Sequence, residues 1–171
     1  MGGTVGVESE PVRGSLFWAE LPLPMSEDGE PVSGFGELAA ATLEHARVLV
    51  VEDNPVNMMV CAALLEQHGI RVVQAVDGRQ AIDAVDAARR EGDPFDVVLM
   101  DVQMPVMSGH EATRMLRQRY DAHALPIIAL TAAALVSERE QALAAGMNDF
   151  LTKPIEPQRL LRAVSRALGE T

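Results

Sequence analysis

The sequence predicts an α/β fold: a doubly wound sheet of five parallel strands flanked by five helices, with a β-hairpin in front of it. Three observations predict it. From Arg47 onward, short β-branched or aliphatic runs alternate with helical stretches, and such runs are the mark of strands buried on both faces. Glycine and proline punctuate most of the changes. Three of the runs also stop on a charged residue: 47–51 on Glu52-Asp53, 95–100 on Asp101, and 149–152 on Lys153, the only lysine among fourteen basic residues.

The elements follow in order. Residues 4–23 alternate as two β segments around the turn 11–14, a hairpin too small to stand alone in water. Residues 24–36 hold Pro24, Gly29, Pro31, Gly34 and Gly36 among acids and serines and read as a linker; 37–46 suit a short helix. A strand over 47–52 leads to a helix over 55–68 that Gly69 stops. A strand over 71–75 precedes a helix over 78–90. Gly92-Asp93-Pro94 then breaks the chain before a strand over 95–100. A helix over 109–119, a strand over 126–130, a helix over 135–145, a short strand over 149–151 and an amphipathic helix over 156–168 complete the pattern. Right-handed crossovers make the sheet parallel. Among the common strand orders, 2-1-3-4-5 brings the first and third strands side by side, with Glu52, Asp53 and Asp101 at neighbouring ends.

Composition narrows the function. Of 171 residues, 48% are apolar, enough for a sizeable core, yet no apolar run is long enough to span a bilayer. The net charge is -11, of which residues 1–46 carry -7. There is no basic stripe, which argues against nucleic-acid binding. Cys61 is alone, so no internal disulfide forms, which fits a reducing, cytoplasmic setting. Its neighbours Val60, Ala62 and Leu64 mark it as a small buried residue.

Ligands of open α/β sheets bind outside the carboxyl ends of the strands. Three carboxylates and one ammonium gathered there describe a site for a divalent cation and a phosphoryl group. Carboxylate oxygens suit Mg²⁺, which keeps several waters and takes substrate phosphate into its shell. One carboxylate can serve as nucleophile, giving an acyl phosphate. Lys153 would neutralise the other side of the phosphoryl group, and the hydroxyl of Thr131, directly after the fourth strand, would bond a third oxygen. Asp77, Asp93 and Asp121 read as turn or cap residues. Met100, Met104 and Met107 read as packing, and His45, His68, His110 and His123 as surface or cap residues.

These residues resemble the receiver domain of two-component signalling, over roughly Arg47 to Gly169. The run 48–57 looks like the family's first strand and acidic pair, 101–109 like its phospho-acceptor segment, 130–133 like its switch threonine, and 151–154 like its lysine-proline. The resemblance implies that Asp101 accepts a phosphoryl group from a phosphohistidine. Asp53, Asp101 and the backbone carbonyl of Gln103 would ligate Mg²⁺, with Glu52 acting through a metal-bound water. It also implies that Thr131 and Lys153 hold phosphoryl oxygens, that Lys153-Pro154 is a cis peptide, and that Phe150 is the switch aromatic. The implied partners are a histidine kinase core and a histidine phosphotransfer domain, with a homodimer as an option.

The segment from Met1 to Leu23 resembles the tail of a histidine-kinase ATPase domain, with Gly2 and Gly3 in its last glycine-rich box. The expected organisation is thus an ATPase-domain remnant over 1–23, a linker over 24–46 and a receiver over 47–169, the end of a hybrid sensor kinase. The residues that bind Mg-ATP and the phosphorylatable histidine would lie upstream, so this chain is not expected to act as an enzyme. No DNA-binding output is expected within it, nor contact with a membrane. Two rival readings are a docking receiver that regulates its kinase without relay, and a Mg²⁺-dependent phosphohydrolase. The second would want an acid two residues after its nucleophile, where this chain has Gln103.

Overall fold

A computed structural model describes residues 4–10, 14–20, 43–132 and 136–169. It divides into two compact units, Met1–Gly34 and Phe35–Thr171. In the first, strand β1 (Thr4–Glu10) pairs antiparallel with β2 (Gly14–Glu20), from Thr4 opposite Glu20 to Glu10 opposite Gly14. The two hairpin strands are as expected. The turn residues 11–13, the linker over 24–36 and most of the helix expected over 37–46 lie outside the described residues. Of that helix only Leu43 is described as helical; His45, at φ 76°, turns the chain toward the next strand.

Among the described residues from Arg47 onward, five strands alternate with five helices: β3 (Arg47–Val51), α1 (Pro55–Glu66), β4 (Arg71–Ala75), α2 (Gly78–Glu91), β5 (Val97–Asp101), α3 (Gly109–Arg117), β6 (Ile127–Thr131), α4 (Val136–Ala144), β7 (Asp149–Thr152) and α5 (Pro157–Gly169). The sheet order is β4-β3-β5-β6-β7, the expected 2-1-3-4-5, and every neighbouring pair is parallel.

Strand alternation builds two core layers. Val48, Val50, Leu99 and Leu130 face one side and pack with Cys61 and Leu65 of α1 and Leu160 and Val164 of α5. Leu49, Val98, Met100 and Ile127 face the other and pack with Val85 of α2, Leu116 of α3 and Ala142 of α4. With helices on both faces the central strands have no polar side to offer, which is why their sequences read as unbroken apolar runs. Leu43 and Ala46, from the segment read as linker, are buried in the first layer.

Local chemistry sets the helix starts. Asn54 accepts from the backbone N–H of Val56 and Asn57, Asp77 from Gln80, and Ser108 from Glu111, so three loops enter their helices through a side-chain cap. Asp77 is thus the cap it was expected to be. Asp121 accepts from the N–H of His123 and Ala124 in a turn, and Asp93 pairs with Arg47 and Arg71. Element ends moved by one or two residues. The third strand of the unit starts at Val97, not Phe95: Asp96 receives the N–H of Arg47 on its carboxylate and gives its own N–H to the Arg47 carbonyl, and the ladder begins only after it. That strand also runs one residue further, because the backbone of Asp101 still pairs with Leu130. No described helix is long and apolar enough to cross a membrane.

Candidate functional site

The site lies at the carboxyl ends of β3, β5, β6 and β7. Glu52 follows β3 directly and is 1% exposed. A buried carboxylate needs partners. Glu52 Oε1 accepts from the Asn57 side-chain amide at 3.1 Å and from the Asn54 N–H at 3.3 Å, and its Oε2 lies 2.6 Å from Lys153 Nζ. Asp53 is exposed. Asp101, the last residue of β5, is 4% exposed; its Oδ2 lies 2.6 Å from Lys153 Nζ and its Oδ1 accepts from the Gln103 N–H at 3.0 Å.

The glycine at the head of α3 lets that helix approach. A Cβ on Gly109 would lie 2.1 Å from the backbone oxygen of Asp101. The Gly109 N–H meanwhile bonds the Val102 carbonyl, so the loop after the acceptor strand folds back tightly on it.

Charges in the cluster do not balance: three carboxylates face one ammonium. Burial pushes the Asp101 carboxyl above the usual aspartate range, and Glu52 adds to that, while the hydrogen bonds from Lys153 and Gln103 oppose it. Burial by itself pulls the Lys153 ammonium down, but the hydrogen bonds to Asp101 and Glu52 outweigh it and hold the group above the ordinary lysine value. Lys153 is therefore charged, and the excess is negative. One oxygen from each of Glu52, Asp53 and Asp101 lies within 4.8 Å of the others. Hard oxygen donors with unmatched negative charge fit a small divalent cation, for which such a donor set is suited.

Thr131 ends β6 and is 4% exposed. Its backbone carbonyl accepts the Lys153 N–H at 2.7 Å, which ties the two strand ends together. Its hydroxyl donates to the Glu138 carboxylate of α4. Phe150, on β7, is partly buried against the core layer beneath α4, with the Arg139 guanidinium 5.3 Å from its ring centre. Lys153-Pro154 is cis.

Every expected site residue except Phe150 therefore falls at one mouth of the sheet, and Phe150 lies nearby on its edge strand. Asn57 and Glu138 went unread in the sequence. Asn57 had a weak signal, being the third helical residue after an acidic pair; Glu138 had none, since an acid in the first turn of a helix is ordinary. Cys61 is buried as expected, and Met100, Met104 and Met107 pack in the second core layer. His110 departs from the surface reading. Its Nδ1 is buried with no hydrogen-bond partner among the described residues, and burial lowers the imidazole's proton affinity.

Beside the acids, α1 presents Val56, Met59 and Val60 to solvent, and Val76 lies exposed after β4. An open groove of about 430 Å³ runs from Asp53 along Pro55, Met59 and Ala63 toward Val76.

Comparison with known proteins gives the same picture. The sensor histidine kinase GacS of Pseudomonas protegens is 42% identical over 126 residues, which covers 72% of this chain but 13% of that protein. The crystal structure of the receiver domain of sensor histidine kinase PA1611 from Pseudomonas aeruginosa, with a magnesium ion coordinated in its active-site cleft, is 43% identical, covers 73% of this chain and 98% of that one, and superposes with a TM-score of 0.65. The receiver domain of the response regulator Ssk1, crystallised with the Saccharomyces cerevisiae histidine phosphotransfer protein Ypd1, belongs to a structure 31% identical to this chain, covering 71% of it and 88% of that chain, with a TM-score of 0.62. Residues 48–165 match the model of the response regulator receiver domain, and the chain belongs to that family.

Proposed function

We propose that Asp101 accepts a phosphoryl group from a phosphohistidine and that the chain passes it on, as the receiver of a hybrid sensor kinase. The observation that supports this most is the buried Asp101 carboxylate, 2.6 Å from Lys153 Nζ and beside Glu52 and Asp53. An oxygen of Asp101 attacks phosphorus, the new P–O bond forms as the P–N bond to the donor imidazole breaks, and the electron pair stays on that nitrogen. Such a transfer needs positioning and charge neutralisation more than covalent help from the protein. Lys153 supplies a compact ammonium to one phosphoryl oxygen and the Thr131 hydroxyl donates to another. Asp53, Asp101 and the Gln103 carbonyl would hold Mg²⁺, with Glu52 behind a bound water; when bound, the ion neutralises the remaining phosphoryl charge. Phe150 turns inward as Thr131 moves.

The exposed apolar strip on α1, next to the acids, suits the flank of a helix that carries the reacting histidine. A histidine phosphotransfer domain and the kinase's own histidine-bearing helices are the partners of that shape. GacS is a sensor histidine kinase, and the chain spans about an eighth of its length. We read 1–23 as the end of an ATPase domain, joined through 24–46 to a receiver over 47–169 in the cytoplasm. Two strands by themselves are marginal, so β1 and β2 make sense as the last part of a larger sheet.

Incubation with Mg²⁺ and acetyl phosphate, followed by intact mass measurement, tests the assignment. One phosphoryl adduct is expected, removed by mild base and lacking in Asp101→Ala. An adduct that persists in Asp101→Ala would overturn it.

A further inference from the structure

The switch threonine is already engaged. A threonine hydroxyl has a single proton to donate, and in this structure the Thr131 hydroxyl gives it to the Glu138 carboxylate. Thr131 is buried and stands one residue past Leu130, the register partner of Asp101, so Thr131 and the acceptor sit at the ends of neighbouring strands. It cannot donate to Glu138 and to a phosphoryl oxygen on Asp101 at once. The neighbouring residue reinforces the arrangement: Arg139 lies over the ring of Phe150. Two consecutive side chains in the first turn of α4 thus reach the two residues assigned to the switch.

We propose that Glu138 is a positioning residue that holds Thr131 in the unphosphorylated arrangement and competes with the phosphoryl group on Asp101 for its hydroxyl. The inference rests on the reading of Asp101 as acceptor. Phosphorylation then exchanges one charge-assisted hydrogen bond of Thr131 for another, and Glu138 sets how far the balance lies toward the resting state. When Thr131 leaves, α4 loses its tether to β6, so the motion is felt on that helix.

The test is a titration of the full 171-residue chain with beryllofluoride and Mg²⁺, a stable phosphoryl mimic, followed by NMR. Glu138→Ala should tighten the apparent Kd about tenfold, the scale of one hydrogen bond to a charged group. Glu138→Gln, which keeps an acceptor oxygen but no charge, should gain less. In a Thr131→Ala background the Glu138→Ala gain should vanish. The same gain in both backgrounds would mean that Glu138 acts only by long-range repulsion, and would overturn the proposal, as would no gain at all in the Thr131 chain. Three-bond couplings give the Thr131 side-chain rotamer without any phosphoryl mimic; a rotamer unchanged in Glu138→Ala also counts against it. If the unaltered chain binds no more mimic than Asp101→Ala, the acceptor reading itself fails, and the competition falls with it.

Discussion

Cys61 and Asp101 show what burial does to a single side chain. The Cys61 thiol is fully buried, and burial pushes its pKa up to about 11. At neutral pH almost none of it is thiolate, the reactive form. An Ellman-type reagent should therefore leave the native chain unlabelled and modify one thiol after unfolding in denaturant; fast labelling of native protein would contradict this burial. Asp101 is raised as well, by burial first. A carboxyl whose folded pKa lies above its unfolded one costs stability above the folded value, and the cost fades as pH falls through that value. In Mg²⁺-free buffer at neutral pH, Asp101→Asn should then melt higher than the unaltered chain, with the gap narrowing in acid. A lower melting point would refute the argument. Asp101, Glu52, Asp53, Thr131 and Lys153 were legible because each ends or follows an apolar run. Glu138 was not, because nothing local separates it from a solvated helix acid.

Elements differ in how tightly their ends are specified. Gly109 and Gly92 are both helix-boundary glycines, for different reasons. A Cβ on Gly109 would strike the backbone of Asp101, which cannot step aside without moving β5. Gly92 caps α2 at φ 76° with nothing within 4 Å of a built Cβ. Gly109→Ala should cost about 2–3 kcal/mol through overpacking, and Gly92→Ala only about 1 kcal/mol through its left-handed backbone. Urea melts of the two variants check the order; an equal loss would mean that the close approach at α3 relaxes freely. The end of α1 shows how a boundary escapes the sequence. The helix was expected to reach His68, but it stops at Glu66. Gln67 caps it, and the Gly69 N–H closes on the Glu66 carbonyl, with Gly69 at φ 75°. The glycine was a correct stop signal; the capping turn before it took two residues that look helical by composition.

At the scale of the molecule, the receiver's core reaches further back than its first strand. Leu43 is 1% exposed and packs in the layer formed with α1 and α5. A chain beginning at Phe35 should keep the receiver's melting midpoint, whereas one beginning at Arg47 should lose about 2–4 kcal/mol, the scale of deleting a buried leucine. Equal midpoints would show that Leu43 contributes nothing. The sequence by itself determined the fold class, the strand count and the residues at the strand ends. Those follow from local alternation, run length and punctuation, which depend only on neighbours along the chain. It also implied the strand order, once the acids had to meet. Tertiary structure decided the rest: that Lys153 bridges Glu52 and Asp101, that His110 is partly buried, that Leu43 joins the core, and that Glu138 holds Thr131. Each is a contact between segments far apart in the chain or on different elements. Which side chains meet there is set by packing angles and helix placement, and periodicity does not encode those.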